Sequence, residues 1–325
     1  MAGHHPPPAP APAPPHHLPA HGGQPRYHYQ PPRRPQRRTA GGLVVGLLGV
    51  VAALGVLAIL GASIISSLIE GTPGRPGQPG ARSGQQVTRA TATDNALYKT
   101  GPLTPVQCKL PRLQQGTASM GGFMDALAQC LDASWTRQFA KADVEYTPPK
   151  RVFWSAPGRS PCGTYPSPGA SAFYCPANNT MYVGLQHIIE TSGGESLDHF
   201  GVFARVVAHE YGHHVQDRAG ILLYGHQVME QSDTAGRNAA SRRIELQAQC
   251  FAGAFLGAER LTIGMTRRQY AAMIVDVQGR GDERQPVDRR DHGSGHNYAG
   301  WVTKGFRGQG LGVCNTWTAP ASAIN

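Results

Sequence analysis

The sequence predicts a helix-rich α+β domain in residues 101–325, in which helices outweigh strands and do not alternate with them as in βαβ repeats. Large apolar side chains recur every four residues through 119–142, which indicates an amphipathic helix packed on a core. Two short apolar segments flank Asn178-Asn179, the pattern of a β-hairpin. A further apolar segment, from about 199 to 218, ends just before Gly220, a residue type that commonly stops helices.

The sequence also predicts where the other helices and strands of this domain begin and end. Asp198 is the predicted N-cap of the second helix, which carries the motif described below. The Gly-rich residues 279–325 are expected to be irregular and held in place by Cys314. The other predicted elements are a strand at 151–155, hairpin strands at 173–175 and 181–184, and helices over 199–218, 231–260 and 266–278.

Residues 1–100 divide into three segments of different composition. Residues 1–40 hold 12 of the 27 prolines and almost no aliphatic side chain, so they cannot bury enough apolar surface to offset their chain entropy. Residues 42–69 include 27 consecutive uncharged positions, more than the roughly 20 that span a bilayer as a helix. Residues 70–100 begin with glycines at every third position between prolines, which favours a semi-rigid linker. We therefore expect a disordered tail, a transmembrane helix and a linker before the domain.

The arginines beside the apolar segment predict its orientation. Four of them lie within residues 33–38, directly before the segment, and few charges follow it. The positive-inside rule then places the tail in the cytoplasm and everything after residue 70 outside the cell membrane. A buried core helix or a cleaved signal peptide would explain the segment less well, because it is too long for either. Residues 42–69 are thus expected to contact membrane lipid.

The net charge of +10 does not indicate a nucleic-acid-binding protein. The first 40 residues contribute five arginines and no acidic residue, which is half of the excess. From residue 70 onward, 25 basic residues are balanced by 20 acidic ones, as on an ordinary protein surface. No nucleic-acid partner is expected.

All six cysteines lie in the predicted domain, and an even count there agrees with disulfides in an oxidising compartment. Six cysteines permit 15 pairings, and sequence alone does not select one. Short separations and the predicted hairpin favour Cys108–Cys130 and Cys162–Cys175. A third bond, Cys250–Cys314, would fasten the C-terminal segment.

The strongest candidate for a metal-binding and catalytic site is HEYGH at residues 209–213, a His-Glu-x-x-His pattern on a predicted helix. Residues four apart share a helix face, so the imidazoles of His209 and His213 can converge on one ion. Glu210 lies roughly 100° around the axis and can reach a water on that ion. Two imidazoles and a carboxylate suit one Zn²⁺ and leave a fourth place for water. A surface helix with incidental histidines is the alternative, and the apolar residues that flank the motif argue against it.

The third ligand requires a residue outside the motif. A longer motif, with glycine and histidine at the positions of Gln216 and Ala219, is excluded. Glu245 lies 32 residues beyond His213 on a helix apolar enough to pack against the first, which makes it the expected third ligand. The rival ligands are His226, Glu230, Asp233, His292 and His296.

HEYGHHVQ, followed by ELQAQCFAG, resembles the bacterial putative neutral zinc metallopeptidase family. Further matching features run from Cys162-Gly163 through His292-Gly293-Ser294 to Cys314-Asn315-Thr316, so the resemblance covers roughly residues 105–318. It implies a zincin-like fold, a membrane anchor near the N-terminus, His209, His213 and Glu245 as ligands, and Glu210 as the catalytic residue.

One departure concerns Gln249, where the family usually has aspartate. Gln249 lies four residues after Glu245, on the same helix face, where a carboxylate would accept a hydrogen bond from a ligand imidazole. A Gln amide oxygen can still accept that bond but carries no charge. We therefore expect a weaker but active site.

The motif and the resemblance together predict a zinc metallopeptidase, expected to be an endopeptidase acting on peptides or proteins. Zinc would activate a water, and Glu210 would take its proton and pass it to the leaving amine. Sequence does not rank the donors to the oxyanion, for which Tyr298, His292, His296 and Tyr211 are candidates. The predicted hairpin could hold an extended peptide by edge pairing, and His214 is expected to be structural.

Two other functions remain open from sequence. The domain could be a metal-binding but inactive scaffold of the cell envelope, for which Gln249 is the support. The presence of Glu210 argues against this, since a scaffold has no need of that carboxylate. A zinc hydrolase acting on another bond is the third possibility.

Overall fold

The computed structural model describes residues 87–167, 170–308 and 310–325. The predicted tail 1–40 and transmembrane helix 42–69, and the predicted linker 70–100 up to residue 86, lie outside the described residues. Among the described residues, none of the helices combines the length and the apolar character needed to cross a membrane.

The described residues form a helix-rich α+β structure with two small sheets, which confirms the predicted class. Short 3₁₀ helices occur at Ala96–Lys99, Val287–Arg289, Leu311–Cys314 and Ala321–Ala323. The α-helices and strands, in order, are α1 (Arg89–Thr93), α2 (Thr117–Lys141), β1 (Lys150–Trp154), β2 (Gly158–Ser160), β3 (Gly163–Tyr165), β4 (Ala172–Cys175), β5 (Thr180–Gly184), α3 (His187–Thr191), α4 (Phe200–Arg218), α5 (Ile221–Gln231), α6 (Thr234–Glu259), α7 (Arg267–Gln278) and α8 (Gly295–Phe306).

The larger sheet has the strand order β1-β5-β4, so that β4 is an edge strand. β4 and β5 form the predicted antiparallel hairpin, in register at Cys175↔Thr180, and β1 pairs with β5 in parallel. The separate β2–β3 hairpin is joined to the end of β4 by the Cys162–Cys175 disulfide. Large side chains of β4 and β5, among them Phe173 and Tyr182, stack under this hairpin.

The helices α4 and α6 lie at the centre of the main hydrophobic core. Their backbones come close at Gly212, where an added Cβ would lie 2.9 Å from the carbonyl oxygen of Ala248. α8 packs against the other side of α6, where a Cβ on Gly305 would lie 2.0 Å from the carbonyl oxygen of Cys250. Glycines therefore allow three helices to pack backbone against backbone.

The expectation that residues 279–325 are irregular is wrong over α8. Gly305, a residue type that usually interrupts helices, contacts the backbone of α6 instead, and Gly253 and Gly257 of α6 lie against the backbone of α8. The predicted disulfide partner Cys314 does hold this segment, through its bond to Cys250. The other two disulfides, Cys108–Cys130 and Cys162–Cys175, also join the predicted pairs.

Two predicted helix starts differ from the structure, and one helix was not predicted. The helix expected over 231–260 is α6, which begins after Asp233, whose carboxylate caps it by accepting the N–H of Gly236. The helix α5 over 221–231 was not predicted. His199 rather than Asp198 is the N-cap of α4, and its side chain makes no capping bond.

The predicted linker also ends earlier than residue 100. Ala92 and Leu97 are fully buried, because α1 and the following 3₁₀ helix pack on the domain. This segment meets the C-terminal segment directly: Asn315 Nδ2 donates to the carbonyl of Thr93 (2.9 Å), and the N–H of Leu311 donates to the carbonyl of Gly101 (3.2 Å).

The close packing of α8 on α6 can be tested with two glycines of the same helix. Gly305→Ala should lower the free energy of unfolding by about 1–3 kcal/mol, because the new methyl group would overlap the backbone of α6. Gly300→Ala is the matched control: nothing lies within 4 Å of its added Cβ, and we expect a gain of about 0.5–1 kcal/mol from helix propensity. Urea unfolding of both variants makes the comparison. Equal effects would show that the contact is not tight.

Candidate metal centre

Two imidazoles from α4 and one carboxylate from α6 converge in the interior. His209 Nε2 lies 3.2 Å from Glu245 Oε2 and also 3.2 Å from His213 Nε2. His213 Nε2 lies 3.6 Å from Glu245 Oε1. One donor atom from each residue falls within 4.8 Å of the others, so the three could hold one metal ion. The i, i+4 spacing of the histidines and the contact of Gly212 with α6 bring about this convergence.

The donor set fits Zn²⁺, which binds imidazole nitrogen and carboxylate oxygen and tolerates three protein ligands. Burial opposes ionisation of Glu245, but His213 and His292 outweigh it and hold the pKa of this carboxyl well below its usual value. Burial also lowers the pKa of His209 to about 4, so its imidazole is neutral. An ionised carboxylate and a neutral imidazole are the forms that bind metals.

The surroundings of His213 favour the charged form of its imidazole. Burial lowers its pKa, but the neighbouring Glu245 carboxylate outweighs burial and raises the pKa to about 9. Its Nδ1 lies 3.0 Å from Gln216 Oε1, which leaves Nε2 directed at Glu245. A divalent cation between these groups would replace that proton, because metal binding displaces protons from its ligands.

Glu210 lies beside the two histidines, between α4 and the edge strand β4. Its carboxylate is buried, and the backbone of Tyr174 on β4 lies close enough to lower its pKa slightly. Burial raises its pKa to about 7, against the opposing effect of the His213 charge. A carboxyl group with a pKa near neutrality is suited to both accepting and releasing a proton.

His292 and Tyr298 lie near the three converging groups, whereas His296 does not. His292 Nε2 is 4.0 Å from Glu245 Oε2, and its Nδ1 is 2.6 Å from Asp291 Oδ1. Tyr298 is buried on α8, where the charge of Glu245 affects its ionisation. His296 lies two residues before Tyr298 on α8. Two residues correspond to about 200° around a helix axis, so His296 points away from the side that carries Tyr298 and is exposed.

The loop that carries His292 is held by further carboxylates. The backbone N–H of His292 donates to Asp282 Oδ2 (2.7 Å), and donor atoms of Asp282, Asp291 and His292 lie within 4.8 Å of one another. Asp291 and Asp282 thus fix both the ring and the backbone of His292, so its Nε2 faces Glu245.

The other candidates of the sequence analysis lie elsewhere. Tyr211 is fully buried and bonds Tyr146 and Asp132. Asp233 caps α6 and Glu230 is exposed. His226 on α5 is near enough for the charge of His213 to lower its pKa, second to burial, but it is not among the converging ligands.

His214 lies away from the metal centre and joins α4 to neighbouring segments. Its Nε2 lies 3.0 Å from the carbonyl of Thr147 and its Nδ1 lies 3.2 Å from the hydroxyl of Tyr174. Burial lowers its pKa to about 3, so it is neutral. The geometry agrees with a structural role for this residue.

Gln249 is buried next to the centre, close enough to Tyr298 to affect the pKa of its hydroxyl. The bond expected from a ligand imidazole to its amide oxygen is not formed. Within the described residues, both Gln249 Oε1 and His209 Nδ1 are buried without a hydrogen-bond partner. The two candidate ligand histidines therefore differ, because His213 Nδ1 has an acceptor in Gln216 and His209 Nδ1 has none in the described part of the chain.

Sequence reasoning missed two residues that contact the candidate ligands or their neighbours. Gln216 was used only to exclude a longer motif, although its position three residues after His213 places both on one helix face. Asp291 directly precedes His292, and no periodicity marks it, because it lies in a loop.

Comparison with known proteins gives one family. The family model described as "Putative neutral zinc metallopeptidase" matches residues 104–317. The uncharacterized protein YpfJ of Escherichia coli is 30% identical over 205 residues, which cover 60% of this chain and 70% of YpfJ. The uncharacterized proteins Rv2575 of Mycobacterium tuberculosis and Mb2605 of Mycobacterium bovis are 31% identical over 196 residues, which cover 54% of this chain and 64% of theirs. No solved structure matches the chain.

The ligand set can be tested by metal analysis. We expect one zinc per chain in the wild type and loss of most of it in His209→Ala, His213→Ala and Glu245→Ala, because each change removes one of three converging donors. His296→Ala is the matched control and should retain its zinc, since His296 is exposed on α8. Full zinc occupancy in Glu245→Ala would contradict its assignment as the third ligand.

The unpaired Gln249 oxygen gives a second test. Gln249→Asp should strengthen zinc binding, because a carboxylate would accept the N–H of His209 and add negative charge near the cation. Outer partners of metal ligands typically change metal affinity by ~10–100-fold. Zinc affinity is measured by competition with a chromophoric chelator. An unchanged affinity would show that position 249 does not act on His209.

Proposed function

The chain belongs to the putative neutral zinc metallopeptidase family, and on this basis we propose that it is a membrane-anchored, zinc-dependent metallopeptidase that hydrolyses peptide bonds. The observation that carries the proposal is the convergence of His209, His213 and Glu245, with the buried carboxylate of Glu210 beside them. These are the donors of a zinc site and the base of a hydrolase in one place.

The three converging donors would hold zinc, which when bound supplies an activated water and polarises the scissile carbonyl. Glu210 takes a proton from the attacking water and gives it to the departing amine. Its pKa of about 7, raised by burial, suits both transfers at neutral pH. General acid–base catalysis of this kind contributes about 10²–10⁴ in rate.

The developing oxyanion requires a donor besides the metal. His292 is the best placed of the candidates, since its Nε2 faces Glu245 and its ring is held by Asp291. Tyr298 is the second, because it is buried on α8 near enough to Glu245 for that charge to raise the pKa of its hydroxyl, second to burial. The exposed His296 has no such position.

The substrate is proposed to be a peptide or protein segment in extended form. β4 is an edge strand, and the backbone of Tyr174 on this strand lies close enough to Glu210 to affect its pKa. A peptide that pairs along this edge would lie beside the carboxylate that performs the proton transfers. The HEYGH helix packed beside an edge strand supports a zincin-like fold.

The proposed location is the cell membrane, with the domain outside the cytoplasm. The support comes from the sequence: an uncharged 27-residue run follows an arginine cluster. The three disulfides of the domain suit an oxidising compartment.

The proposed activity can be separated from metal binding alone by one substitution. Glu210→Gln should retain its zinc and its fold and lose peptide hydrolysis by roughly 10²–10⁴-fold, because it removes the proton acceptor and keeps the size of the side chain. Zinc content and cleavage of casein are measured on the full chain. The exposed Glu230→Gln is the matched control and should cleave like the wild type.

Two outcomes would contradict the proposal in different ways. Equal cleavage by Glu210→Gln and the wild type would remove Glu210 from the mechanism. A wild type that binds zinc but cleaves neither casein nor a peptide library would favour the inactive scaffold, for which Gln249 is the support.

A further inference from the structure

A chain of buried hydrogen bonds starts at His213 and ends on backbone carbonyls far from it in sequence. Gln216 and Gln247, the two amide side chains in this chain of bonds, are fully buried. The bonds, in order, are His213 Nδ1 to Gln216 Oε1 (3.0 Å), Gln216 Nε2 to Ile244 O (2.8 Å) and Gln247 Oε1 (3.0 Å), Gln247 Nε2 to Cys314 O (3.0 Å) and Tyr98 Oη (2.8 Å), and Tyr98 Oη to Ala92 O (2.9 Å).

The far end of this chain determines the orientation of the Gln247 amide. A backbone carbonyl can only accept, so the group that faces Cys314 must be the amide NH₂. The single proton of the Tyr98 hydroxyl goes to the carbonyl of Ala92, so its oxygen accepts the second N–H of Gln247. The amide oxygen of Gln247 is then the atom that faces Gln216.

The same reasoning determines the orientation of Gln216. Two acceptors, the carbonyl of Ile244 and the amide oxygen of Gln247, lie on one side of its amide group, so the NH₂ must be on that side. Gln216 Oε1 therefore faces His213 and can only accept a hydrogen bond from it. His213 must carry a proton on Nδ1, and the neutral ring has its lone pair on Nε2, the atom directed at Glu245.

We propose that Gln216, oriented by Gln247, is a positioning residue that selects the Nδ1–H tautomer of His213 and holds its ring for metal binding. The inference rests on the proposed role of His213 as a metal ligand. The partner of the second imidazole nitrogen commonly determines which nitrogen binds a metal. Here the choice does not depend on a carboxylate, because three backbone carbonyls determine the direction of every bond.

The alternative is that these buried amides only satisfy one another's hydrogen-bonding groups and have no effect on the metal site. In that case removal of Gln216 or Gln247 would lower the stability of the fold but leave the metal affinity unchanged. If Gln247 acts on the metal through Gln216, its effect on metal affinity must disappear once Gln216 has been replaced. This non-additivity distinguishes the two roles.

The first test measures zinc affinity by competition with a chromophoric chelator, on the full chain. Gln216→Met removes the acceptor with little change of volume, and we expect ~10–100-fold weaker binding. Gln247→Met should weaken binding less, and the double variant should equal Gln216→Met. Gln138→Met is the matched control: Gln138 is fully buried and bonds the carbonyl of Gly101, so its loss should cost stability but not affinity.

The second test reads the tautomer directly on the wild type. In ¹⁵N-histidine NMR spectra of the zinc-loaded protein, His213 should carry its proton on Nδ1 and bind zinc through Nε2. A His213 that binds zinc through Nδ1 overturns the inference even if the glutamine variants do not fold.

The outcomes separate this inference from the proposed function. Zinc binding that His213→Ala abolishes, but that Gln216→Met leaves at the wild-type affinity, overturns the positioning role and keeps the ligand assignment. Additive effects of Gln216→Met and Gln247→Met would show that Gln247 does not act through Gln216. A wild type that binds no zinc would instead defeat the proposed function.

Discussion

The close contact between α4 and α6 at Gly212 is the constraint on which the rest of the site depends. The backbone of Ala248 fills the space that any other side chain at position 212 would occupy. Because the helices approach this closely, Glu245, one turn before Ala248, reaches the face of α4 that carries His209 and His213. Gly212 thus allows α4 and α6 to approach closely, a role that the His-Glu-x-x-His pattern alone does not indicate.

Burial shifts the pKa values of the groups in the site and also costs free energy, because charged groups lose their contact with water. Glu210, Glu245 and both candidate ligand histidines have little contact with water, and burial raises the pKa of Glu210 while it lowers that of His209. Desolvated charges are costly unless they are paired. The pairing here is uneven, since all three imidazoles face Glu245 and His213 Nδ1 has Gln216 as acceptor, whereas His209 Nδ1 is unpaired within the described residues.

Local patterns in the sequence were sufficient for the helices α2, α4 and α7 and for the β4–β5 hairpin. They favoured the three disulfide pairs that the structure contains but did not exclude the other pairings. Local patterns did not predict the elements and side-chain positions that depend on tertiary contacts. α8 was missed because Gly305 looks like a helix breaker, although it is a contact point. His292 and Tyr298 could not be ranked above His296, because their approach to Glu245 depends on how a loop and α8 pack. The outward position of His296 follows from the same packing.

The contact between the segments at Thr93 and Asn315 bears on biosynthesis. Tyr98 and Cys314, which both accept from Gln247, are 216 residues apart, so a ribosome must make nearly the entire domain before both are present. A nascent chain lacks these bonds until residue 314 has emerged, because contacts of such long sequence separation require both partners to be present. In the proposed peptidase, the hydrogen bonds that hold His213 would therefore be completed only after the residues of the HEYGH helix had long been synthesised.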